Sequence, residues 1–74
     1  MNIRAEIAEL FRHYVDHPHN IVDGETNWDF VEADVMIEIG IDNIIEQMGS
    51  LEAFYPYFNQ LVDLHLAAKT ATYW

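Results

Sequence analysis

Seventy-four residues with a net charge of −10 leave room for one domain, spanning 1–74. Half of them are apolar and 14% are aromatic, enough to build a core. Thirteen acids against three Lys and Arg exclude a binder of phosphate backbones, and the absence of cysteine excludes disulfides, zinc knuckles, Fe–S clusters and thiol chemistry.

No apolar run approaches the roughly 20 residues of a membrane span. Met1–Arg4 leads into no apolar stretch of signal-peptide type. A cytoplasmic location and no membrane partner are therefore expected. A domain of this size buries only about 60% of the surface of its unfolded chain. With disulfides unavailable, a metal or a second copy would be the supplement, and a homo-oligomer is expected.

The predicted fold is all-α, a small bundle of three main helices. The first covers about 2–16, where Ile3, Ile7, Leu10, Phe11 and Tyr14 fall on one stripe at helical period. Pro18 ends it, because it lacks a donor and pushes His17 out of the helical region. Residues 18–26 read as a loop turning at Asp23-Gly24. Thr26 or Asn27 is an N-cap, with Asp29 in the favoured first turn.

The second helix covers 27–48, either continuous or broken at Gly40, with Asp42 then capping a short further helix. Its stripe is Phe30, Ala33, Ile37, Ile41, Ile44 and Met48. The same region also alternates: Ala33, Val35, Ile37, Ile39 and Ile41 against Glu32, Asp34, Met36, Glu38 and Gly40. That is strand periodicity, so an α+β fold with one strand at 32–41 is the alternative. The helix is preferred because its cap is sound and a lone strand leaves its backbone groups unsatisfied.

Gly49-Ser50 is a stop and a start. The third helix runs over 51–70, with Pro56 in its opening turns or kinking it. Phe54, Tyr57, Phe58, Leu61, Leu64 and Ala68 form its apolar face, with His65 among them as a neutral core histidine or a pH-sensitive one. Apolar side chains off that face, together with the terminal aromatics, nominate Tyr55, Leu66, Tyr73 and Trp74 for self-association. Ile44–Ala53 resembles the second helix and exit of helix-hairpin-helix DNA-binding modules. The resemblance covers ten residues and lacks the Gly-x-Gly hairpin, and Asp42, Glu46 and Glu52 would repel DNA.

Two constellations could carry chemistry. Asp34, Glu38, Asp42 and Glu46 recur every fourth residue, and no Lys or Arg occurs between His13 and Ala68. A solubilising surface mixes its charges, whereas a field of one sign steers a basic partner. The expected function is a non-catalytic acidic helical module that docks this face on a basic protein surface. An inhibitor of the phage or mobile-element type, or a mimic of nucleic acid, would be such a module. An ordinary solvated acidic face is the competing explanation.

The second constellation is Glu9, His13 and His17 at i, i+4 and i+8, which supplies the alternative function of metal binding. No other cofactor is implied. Nothing resembles a phosphate loop, Ser50 is the only serine and reads as a cap, and no enzyme activity is expected.

Overall fold

Ile3, Ile7, Phe11 and Val15 lie four residues apart, and in a computed structural model of the chain they form the buried edge of α1 (Ile3–Val15). The structure describes residues 2–71. Asn2 caps α1, its side chain accepting from the Ala5 amide at 3.2 Å. Pro18 then opens a single 3-10 turn, Pro18–Asn20. A short antiparallel hairpin follows, β1 (Ile21–Val22) paired with β2 (Glu25–Thr26), where only a loop was expected. Asp23 and Gly24, both at positive φ, make its two-residue turn.

The region with two periodicities is helical. α2 (Trp28–Ile39) starts at Asn27, whose side chain accepts from the Phe30 amide at 3.3 Å, and the strand at 32–41 does not form. Gly40 separates α2 from α3 (Ile41–Met48), so the second predicted helix is two. At φ +94° Gly40 takes a conformation that L side chains rarely adopt. Its amide donates to the Met36 carbonyl at 2.8 Å, and its own carbonyl accepts from Ile44 at 3.1 Å. Asp42 does not cap α3; it lies in that helix's first turn.

The final helix, α4 (Phe54–Ala71), begins three residues later than predicted. Ser50 accepts from the Ala53 amide at 3.3 Å, holding 51–53 as a turn, and Pro56 falls within the opening turn of α4. The helical framework is as expected, with a two-stranded hairpin added. No described helix is long and apolar enough to cross a membrane.

The core corrects two predictions: Leu64 and Ala68, expected on the apolar face of the last helix, are exposed, and α2 is turned the other way. α2 buries Val31, Val35 and Ile39, which pack on the α1 ladder together with Ile44, Phe54 and Phe58. Phe30, Ala33, Ile37 and Ile41, expected inside, are exposed. Both faces of α2 are apolar, so periodicity alone could not choose between them. Packing against α1 turns the Val31 side inward. Phe11 is the hub, stacked on Trp28 at 5.9 Å and meeting Phe58 edge-on at 5.5 Å.

Candidate functional site

The acidic row is carried by two helices: Asp34 and Glu38 on α2, Asp42 and Glu46 on α3. Glu38, Asp42 and Glu46 are exposed, and Asp34 is half-buried. The 3-10 turn at Pro18 swings the chain back so that His19 and Asn20 meet α2. His19 Nε2 lies 2.7 Å from Asp34 Oδ2, and the Asn20 side-chain amide donates to the same oxygen at 3.0 Å. The His19 hydrogen bond, supported by Asn20 and opposed by partial burial, holds the Asp34 carboxyl below its ordinary range.

Asn20 is fully buried, and its amide also donates to the Tyr14 carbonyl at 2.9 Å. The Tyr14 hydroxyl donates to Glu38 at 3.4 Å. Loss of solvent, then the charges of Glu38 and Asp34, push that hydroxyl above its ordinary value. Glu38 thus ties α2 to α1, and Asp34 ties it to the Pro18–Asn20 turn. These ties were not legible in the sequence, because they join residues 15, 14 and 24 apart.

The predicted metal set is divided. Glu9 and His13 lie on α1 and line a cleft of about 410 Å³ with Glu6, Leu10, Tyr14 and Glu38. His17 has left the helix, and its Nδ1 accepts from the His19 amide at 3.4 Å. Its ring packs 4.0 Å from that of His19, against 6.4 Å from that of His13. Among the described residues no three His, Cys, Asp or Glu side chains gather as a metal site would require.

Beside the acidic row runs the displaced apolar stripe. Ile37 is 78% exposed, Phe30 49% and Ile41 48%, with Ala33 also exposed between them. At the helix break, Ile37, Ile41 and Asp42 line one cleft of about 550 Å³ with Met36, Gly40 and Asn43. Asn43 closes the end of α2 by donating to the Ile39 carbonyl at 2.8 Å.

On α4, Tyr55 and Leu66 are exposed, as is Leu64. Tyr73 and Trp74 lie outside the described residues. His65 is half-buried, its ring 6.0 Å from Phe11 and 5.8 Å from Trp28. Compared with protein-family models, with curated proteins and with solved structures, the chain shows no significant match in any of the three.

Proposed function

We propose that this protein is a non-catalytic interaction module that docks its acidic face, Asp34, Glu38, Asp42 and Glu46, on a basic surface of another protein. The observation that carries the reading is the sign of the field. Eleven acids and no Lys or Arg lie between His13 and Ala68, and Asp29 and Glu38 on α2 and Asp42 and Glu46 on α3 are exposed. Neither α2 nor α3 contains a Lys or Arg to offset this charge, and such a surface attracts a basic partner over roughly the 8–10 Å screening length of physiological salt. Asp34 is the anchored member of the row, and Glu38, Asp42 and Glu46 supply the exposed charge.

In the same reading, self-association belongs to α4. That helix carries one acid, Asp63, and one base, Lys69, in a molecule whose net charge is −10. Tyr55 and Leu66 are exposed large side chains on one side of it, so a second copy meets apolar surface there without a wall of like charge.

The test is quantitative capture of binding proteins from cells that make this chain, at about 50 and 500 mM salt. The reading predicts a basic protein retained at the lower concentration and lost at the higher. Retention indifferent to salt would contradict it.

A further inference from the structure

We propose that the outer face of α2, continued onto Ile41, is the seat of a cationic amphipathic helix from the partner, which lays apolar side chains on Phe30, Ala33, Ile37 and Ile41 and basic ones on Asp34, Glu38 and Asp42. The inference rests on the acidic docking reading and extends it: the partner must be apolar as well as basic. The first observation is that α2 has two apolar faces and buries one. Its inner face already supplies the core contact, yet on the outer side Ile37 is 78% exposed and Phe30 and Ile41 are half-exposed. Scattered single exposures are ordinary, but these side chains are in series, at spacings of three, four and four residues.

That spacing suits a helix as occupant. Phe30 to Ile37 covers two turns, about 10 Å along the axis. Ala33, small between two large neighbours, leaves a hole into which a knob from a facing helix can fit. At the end of the series the chain breaks, and the cleft at Gly40 presents Ile37 and Ile41 beside Asp42. Apolar and acidic groups thus share one concavity.

Charge selects the occupant. Asp34 and Glu38 flank the stripe on α2 and Asp42 ends it, while α2 and α3 hold no Lys or Arg at all. A second copy seated here would align these carboxylates with its own and bring no cation from its facing helices. A helix with Lys or Arg beside its apolar edge meets both features at once.

The experiment uses the full chain and three synthetic helical peptides of about two heptads. One has leucines at i, i+3 and i+7 with lysines flanking, one replaces the leucines by glutamine at the same charge, and one replaces the lysines by glutamate. Titration calorimetry is run on the wild type and on Ile37→Gln/Ile41→Gln, with melting and sedimentation as controls. The leucine–lysine peptide is expected to bind the wild type at least about tenfold tighter than the glutamine–lysine peptide, a difference near 1.4 kcal/mol. The glutamate peptide is expected not to bind. The double variant should lose the tenfold preference while melting as the wild type does.

Equal binding of the two cationic peptides would overturn the inference and leave the acidic face standing. Failure of both to bind would overturn the two together. A wild-type dimer that Ile37→Gln/Ile41→Gln dissolves would assign the face to a second copy instead.

Discussion

At the scale of single residues, the contacts made by Asp34 join α2 to the Pro18–Asn20 turn. The Asp34 carboxyl is depressed from an ordinary 3.8, and Glu32 is raised from 4.5, first by burial and then by the charge of Asp29. The signs are opposite. A depressed carboxyl stabilises the fold above its unfolded value, and the contribution is lost as pH falls through the folded one. A raised carboxyl favours the fold below its unfolded value and forfeits that as pH rises through the folded one. Acidification from neutrality therefore first relieves Glu32 and then, below about pH 4, undoes Asp34. Asp34→Asn is expected to melt below the wild type at pH 6, with the gap closing towards pH 3. A gap that stays constant over this range would show that the residue stabilises by shape alone.

At the scale of elements, α2 shows what could and could not be read in the residues. Its existence was legible from a cap at Thr26 or Asn27 and the helical stripe, whereas Gly40 left open an end there or a run on to Met48. Its inward face was not. Phe30, Ala33 and Ile37 form as good a stripe as Val31, Val35 and Ile39, and only packing against α1 separates them. The acidic row was likewise legible, since charge needs no phase. The ties of Asp34 to His19 and Asn20 join residues 15 and 14 apart, and no local pattern encodes such contacts. The same two isoleucines, two residues apart, test the assignment. Ile39→Ala is expected to cost about 2–5 kcal/mol in chemical denaturation, as core truncations do. Ile37→Ala should stay within about 0.5 kcal/mol of the wild type, as surface changes do. Equal losses would mean that α2 is turned the other way or that both faces are covered.

At the scale of the whole molecule, a charge of −10 is distributed unevenly, and the exposed apolar side chains of α4 and of α2 differ in their charged surroundings. α4 is neutral in sum, and the outer face of α2 is rimmed with acids. Association of copies through α4 should strengthen with salt, because screening relieves the repulsion between two acidic bodies. Sedimentation of the wild type and of Tyr55→Ser between about 50 and 500 mM salt checks this, with a monomer at every concentration as the contrary result.

Partner docking on α2 and α3 should weaken with salt instead. Glu38 and Glu46 occupy the last turns of their helices, where the dipole favours a cation and neither helix has one. Asp42, in a first turn, already suits its place and is better left alone. The most direct measurement of the docking claim is the affinity of Glu38→Lys/Glu46→Lys for the leucine–lysine peptide, taken beside its melting temperature. Binding weakened at least about tenfold is expected, with a melting temperature close to the wild type, since the about 0.3–1 kcal/mol that each lysine gains from the helix end offsets the loss of the Tyr14–Glu38 hydrogen bond. Undiminished binding by this variant would contradict the docking claim, and the carboxylates would then be only the solvated side of a small helical domain.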